Sequence, residues 1–222
     1  MRAIARLLLL LLPFLLSSCF EIMEEVNMHS STNGHYILTV NMSQSKFQLD
    51  KILAQDTFFG INVPSRQEIE HTFSTVTNQV KSTKGITNVV LSKDYTNYIF
   101  KLDFDFANAK SLNNAINKVW KTYDRRADTS TVHYIAQPGS FKKTPNDNLL
   151  APYRNRMGLR DREMLSSSSY TCIYRFPHEV KSISNAIATV SKSKKAVLLK
   201  ASLLDIVLGK KTIQNDIILI TP

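Results

Sequence analysis

Asp103 and Asp105 are two carboxylates one residue apart in YIFKLDFDF. If that stretch is a strand, both lie on one face, roughly 7 Å apart. A carboxylate pair at such a separation can share acid–base work on a glycosidic bond. Lys101 stands beside them on the same face, and a solvated strand face balanced by that lysine is the plainer reading. His29 and His35 flank Asn33-Gly34 and can meet across a hairpin, but two imidazoles lack the further ligand a metal site needs. Alternation in YTCIYRF puts Cys172 on the face of Tyr170, Tyr174 and Phe176, the setting of a small core residue rather than of a nucleophile served by His178. His71 and His133 have no cysteine or acid at ligand spacing. The glycines at 34, 60, 85, 139, 158 and 209 stand alone, so neither GxxxxGK[ST] nor GxGxxG occurs, nor does GxSxG, HExxH or CxxC. No metal or cofactor is expected. The chain reads as non-enzymatic, with a carboxylate-dependent hydrolase of envelope polymers, working through Asp103 and Asp105, as the alternative.

The cations carry more weight. The chain holds 28 Lys and Arg against 18 Asp and Glu, a formal charge of +10. Between residues 137 and 169, Lys142, Lys143, Arg154, Arg156, Arg160 and Arg162 outnumber Asp147, Asp161 and Glu163. Lys192, Lys194 and Lys195 sit in SKSKK, which reads as a hairpin tip. Lys142, Lys143, Arg154, Arg156 and the three tip lysines are the candidate contacts to an anionic surface, at up to about 1 kcal/mol per favourable charge. Scattered solubilising charge is the plainer account of the same residues.

The amino terminus says where such contacts would be made. Arg2 and Arg6 precede an apolar run from Leu7 to Leu16, broken by Pro13. That is a secretory-signal pattern, shorter than the roughly 20 apolar residues of a membrane span. It ends in Leu16-Ser17-Ser18-Cys19. An aliphatic residue, two small residues and a cysteine resemble the lipobox of bacterial lipoproteins. The resemblance covers the first nineteen residues. It implies thioether lipidation of Cys19, cleavage between Ser18 and Cys19, and acylation of the new amino terminus; a thiol is the natural nucleophile for the alkylation. Phe20, where a retained lipoprotein would carry aspartate, implies sorting to the outer membrane of a two-membrane envelope. Loss of residues 1–18 takes Arg2 and Arg6 with it, and the balance falls from +10 to +8. With Cys19 lipidated, Cys172 has no disulfide partner. Nucleic acid is not an expected partner outside the cytoplasm; an envelope protein, an anionic lipid head group or a glycan is.

The elements that must position these residues are legible from alternation and capping. Residues 21–28 and 36–42 read as a hairpin turned at Asn33-Gly34, whose residues tolerate positive φ. Ser43 or Ser45 can cap a short helix with Phe47, Ile52 and Leu53, and FFGINVP reads as a loop. Ser65 and Glu68 form a capping-box pattern ahead of the stripe Ile69, Phe73, Val76 and Val80. Strands are expected at 86–92 and 98–106, then a helix at about 109–124 with Leu112, Ile116, Val119, Trp120 and Tyr123 on one face. That is ββααββα. A strand at VHYIA, an irregular basic excursion at about 137–169 and further strands from Tyr170 onward complete the chain. The expectation is an α+β fold: an antiparallel sheet built from hairpins, helices packed on one face, in a single lipid-anchored domain over 19–222. The layout resembles small envelope lipoproteins of unassigned function.

Overall fold

A computed structural model of the chain describes residues 20–58, 61–123, 130–144, 150 and 154–220. Ser18 and Cys19 lie outside the described residues. Strand β1 (Glu21–Met28) turns through residues 29–33 into β2 (Gly34–Asn41), with Met28 opposite Gly34. The His29 N–H closes the turn on the Asn33 carbonyl at 3.0 Å. Asn33-Gly34 is therefore not a two-residue turn, and neither residue has a positive φ. Glycine is needed at 34 for close approach: a Cβ there would stand 2.5 Å from the Asn27 carbonyl oxygen and 2.8 Å from the Phe106 ring.

Helix α1 (Lys46–Leu53) comes next, then a ribbon of β3 (Thr57–Phe58) and β4 (Ile61–Asn62) where the sequence reads as a loop. Helix α2 (Arg66–Lys81) starts at the expected capping box, with the Ser65 hydroxyl accepting from Glu68 N–H at 3.2 Å and the Glu68 carboxylate accepting from Ser65 N–H at 2.7 Å. Strands β5 (Ile86–Asp94) and β6 (Ile99–Phe106) pair, and α3 (Ala109–Tyr123) runs back over the sheet. The excursion is more regular than expected. It contains β8 (Ser140–Lys143), paired with β7 (Tyr134–Gln137), and helix α4 (Leu159–Ser166). Strands β9 (Ser169–Arg175), β10 (Val180–Ile183), β11 (Ala188–Val190) and β12 (Ala196–Ser202), the short helix α5 (Leu203–Val207) and β13 (Asn215–Leu219) follow.

The fold is α+β. A seven-stranded sheet has the order β11-β12-β9-β1-β2-β6-β5, and a four-stranded sheet the order β10-β13-β8-β7. Every pairing in the large sheet is antiparallel except β1 with β9, so the sheet is mixed at its centre. The inner face carries Val26, Tyr36, Phe104, Tyr174 and Val197, all buried, against the helices and the smaller sheet. The outer face carries ion pairs such as Glu21 with Lys200 and Glu25 with Arg175.

Register fixes the two ends of the large sheet. Glu21 pairs with Asn41 and Ser169, Asn41 with Ile99, and Ser169 with Ser202. These form the Phe20 end, which is pinned where the Phe20 carbonyl accepts from Ser169 N–H at 3.1 Å. Met28, Gly34, Phe106, Arg175 and Ala196 lie toward the opposite end.

Candidate functional site

An apolar cavity of about 390 Å³ lies on the inner face of the large sheet. Its floor is Ile22 of β1, Leu38 and Val40 of β2, Leu102 of β6 and Tyr170 of β9. Its roof is Val76 and Val80 of α2 with Ile116, Val119 and Trp120 of α3, the apolar stripes that helical periodicity indicates. Leu203, Ile206 and Val207 of α5 close one side. Volume and lining both fall in the range of sites that take small apolar ligands, about 300–1,000 Å³.

The cavity deepens away from Phe20. Glu24, Tyr36 and Phe104 are buried, whereas the cavity residues nearer Phe20 on the same strands, Ile22, Val40 and Leu102, and Tyr170 beside Ile22, are only partly so. On α3, Ala115 is buried and Val119 and Trp120 are partly exposed. That helix begins after Phe106, at the far end of the sheet. The strand gradient makes the chamber shallower toward the Phe20 end.

At the deep end stands a charged cluster. Glu24 of β1 is 4% exposed and Lys143 of β8 is 1% exposed, and their charged groups are 3.1 Å apart. The carboxylate also accepts from the hydroxyls of Tyr170 at 2.7 Å, of Tyr36 at 3.3 Å and of Tyr134. Lys143 Nζ donates to the Tyr134 hydroxyl at 2.9 Å. Burial opposes ionisation of Glu24, but the Lys143 charge and the tyrosine hydroxyls outweigh it and hold the carboxyl below its ordinary range. The four phenols of Tyr36, Tyr134, Tyr170 and Tyr174 are pushed well up, chiefly by burial, with Glu24 adding to each. They stay protonated, and those of Tyr36, Tyr134 and Tyr170 donate to Glu24. The cluster ties the two sheets together and leaves one polar patch in an otherwise greasy chamber.

Helix α3 sets the far wall. Asn113 Oδ1 accepts from the N–H groups of His133 and Tyr134 at 3.1 and 2.9 Å, and Asn113 Nδ2 donates to the Tyr134 carbonyl at 2.8 Å. One turn on, Asn117 contacts His133 Nε2 at 2.7 Å. Two asparagines four apart on one helix face thus fix the strand that carries Tyr134.

The residues singled out by sequence fall elsewhere. Lys143 is in the core, not on the surface, because it shares the inner face of β8 with Phe141. Lys142 faces outward and pairs with Asp216 at 3.1 Å. Arg154 Nε donates to the Val207 carbonyl at 2.7 Å, satisfying the end of α5. Arg156 is exposed before α4. Lys192, Lys194 and Lys195 are exposed at a β11–β12 tip, with Lys194 at φ 57° and 3.9 Å from Glu179. Asp103 and Asp105 lie on the outer face, away from the cavity. Asp103 pairs with Lys101 at 3.2 Å, and Asp105 takes Asn88 Nδ2 at 2.7 Å and His35 Nδ1 at 2.6 Å. The Asn88 and His35 hydrogen bonds hold Asp105 below its ordinary range, the wrong direction for a general acid. Cys172 is fully buried, and burial with the nearby Glu24 charge pushes its thiol up to about 12. No group of three or more metal-ligating side chains occurs among the described residues.

Glu24 is the residue the sequence reading missed. EIMEEVNM looks acidic, yet its alternation puts Glu24 on the face of Ile22, Val26 and Met28. That parity was the available signal. Its partner, 119 residues further on, left none.

No protein-family model matches the chain, and no curated protein matches it. Among solved structures, the NMR structure of the folded domain of LppM from Mycobacterium tuberculosis is similar over 91% of each chain, with 8% identity and a TM-score of 0.41. A likeness of that degree carries no conclusion about this chain.

Proposed function

We propose that the chain is a lipid-anchored protein of the cell envelope, sorted to the outer membrane, that binds an acyl chain in the apolar cavity and acts by binding rather than by catalysis. The observation that carries this reading is the cavity of about 390 Å³, shallower toward the end of the sheet where Phe20, the neighbour of Cys19, enters. Anchoring rests on the lipobox resemblance: Cys19 Sγ forms the thioether, and the Ser18–Cys19 bond is cut. No helix among the described residues is long and apolar enough to cross a membrane.

The energetics suit such a ligand. Each methylene taken out of water contributes about 0.8 kcal/mol, so ten would supply about 8 kcal/mol before ordering costs. A chain arriving from a bilayer leaves one apolar medium for another and gains almost none of this. Selectivity then falls to the shape of the chamber and to the polar cluster at its end. Of the partners that charge and anchoring allow, lipid is the one the cavity favours over a protein or a glycan.

The mature chain carrying Cys19→Ala, stripped of lipid and titrated with a fluorescent fatty acid, should bind one equivalent saturably. Ile116→Trp, which fills the cavity from α3, should weaken binding tenfold or more, while Asp103→Asn with Asp105→Asn leaves it unchanged. Non-saturable uptake, or an Ile116→Trp protein that binds as the parent does, would refute the reading. Intact mass of wild type against Cys19→Ala checks the anchor: the substitution should remove the lipid mass.

A further inference from the structure

We infer that α1 and α4 form a membrane-docking surface at the Phe20 end of the sheet, which seats that end on an anionic bilayer. The two most exposed large apolar side chains among the described residues are Leu159, 82% exposed on α4, and Phe47, 67% exposed on α1. Register puts both helices at the same end of the molecule. Helix α1 follows the last residues of β2, and α4 ends just before Ser169, the first residue of β9. Strands β2 and β9 flank β1 on either side. The helices therefore leave the sheet on the two sides of Phe20, with their strands about 10 Å apart by strand spacing. Phe20 is tied to the second of them: Ser168 Oγ, which accepts from Phe20 N–H at 3.5 Å, itself donates to the Met164 carbonyl at 2.7 Å.

Exposed large apolar groups on both sides of Phe20 need a partner that is itself apolar. The charges beside them say which one. Lys46 and Lys51 on α1, Arg156 before α4 and Arg162 on α4 are all exposed. Lys51 Nζ lies 4.0 Å above the Phe47 ring, the posture of a cation that rides over an apolar group while keeping its head in water. Two of the neighbouring acids are engaged in the fold, Asp50 accepting from the Tyr98 hydroxyl at 2.5 Å and Asp161 from Gly158 N–H at 2.8 Å, while Glu163 on α4 is exposed beside Arg162. Apolar tips ringed by cations fit the interface of an anionic bilayer. The chain also supplies continuity, because the residue next to Phe20 is the proposed anchor. The lysine tip cannot share this surface. Ser202 of β12 lies at the Phe20 end and Ala196 at the other, so Lys192, Lys194 and Lys195 stand about 20 Å or more away by strand rise.

The inference rests on the anchored-binder reading for its purpose but not for its test. The mature chain carrying Cys19→Ala has no acyl anchor of its own. In co-sedimentation it should bind vesicles of mixed phosphatidylcholine and phosphatidylglycerol, and bind pure phosphatidylcholine vesicles less. Phe47→Ser with Leu159→Ser, both solvent-facing and so without effect on folding, should reduce that binding tenfold or more. Lys192→Glu with Lys194→Glu and Lys195→Glu should leave it unchanged. Equal binding by the Phe47/Leu159 variant and its parent overturns the inference, as does loss of binding in the tip variant. Binding to native envelope membranes that protease treatment abolishes, with none to protein-free vesicles, also overturns it and identifies a protein partner. The fatty-acid titration of the same proteins is a separate readout. A cavity that takes no probe defeats the acyl-binding reading while vesicle binding, and its loss in the Phe47/Leu159 variant, still stand.

Discussion

Glu24 keeps its charge where water does not reach it because Lys143 and three tyrosine hydroxyls surround it. Removing one member of a buried pair leaves the other unanswered, at a cost of about 3–5 kcal/mol. Lys143→Met should therefore destabilise the protein by about that much in urea unfolding. Adding Glu24→Leu should recover only part of it, since the tyrosine hydroxyls then lose their acceptor and each buried orphan costs about 1–3 kcal/mol. The pair also sets the acid limit. Its folded carboxyl titrates below the ordinary value of 4.5, so the stability from ionised Glu24 is fully present above that pH. It is lost as pH falls through the lowered folded value. Unfolding midpoints followed downward from pH 5 should drop for wild type and respond less in Glu24→Gln. At this scale the parity of β1 carried a signal for Glu24 that went unused, whereas Lys143 looked like one more cation in a basic stretch.

At the scale of elements, local chemistry was the better guide. The Ser65 capping box starts α2 where the sequence places it, and the α3 stripe lines the cavity roof. The β1–β2 turn was legible as a turn and misread in its reason. Gly34 is held to glycine by the Asn27 carbonyl and the Phe106 ring, the second of these across strand β6. Gly34→Ala should accordingly destabilise the protein by about 1–3 kcal/mol, a loss measurable by thermal unfolding, with no effect of its own on the cavity. The ribbon β3–β4 escaped periodicity because its two-residue strands cannot repeat a pattern, and α4 because LRDREMLS is largely charged and has no apolar stripe at helical spacing.

At the scale of the whole molecule, the two sheets and α2, α3 and α5 enclose one chamber, and a ligand that fills it should add to stability by mass action. At a hundredfold excess over its dissociation constant, about 2.7 kcal/mol is expected. For a chain of this length that is a rise in Tm of roughly 5–10 °C, which differential scanning of the lipid-stripped protein with and without fatty acid can read; no shift would argue against occupancy. The residues that build the chamber come from β1, α3, β8 and β9, far apart in the chain. By itself the sequence determined the class of fold, the alternating faces of the strands and the start of α2, and it carries the resemblance to a lipobox ending at Cys19, because each depends on residues within a turn or a strand of one another. Only the tertiary structure decided that Glu24 meets Lys143, that the inner face encloses a cavity, that the helices bearing the exposed Phe47 and Leu159 share the Phe20 end, and that the lysine tip stands at the other. Those facts follow from strand order and register, which are set by long-range pairing, and no local pattern in the chain encodes them.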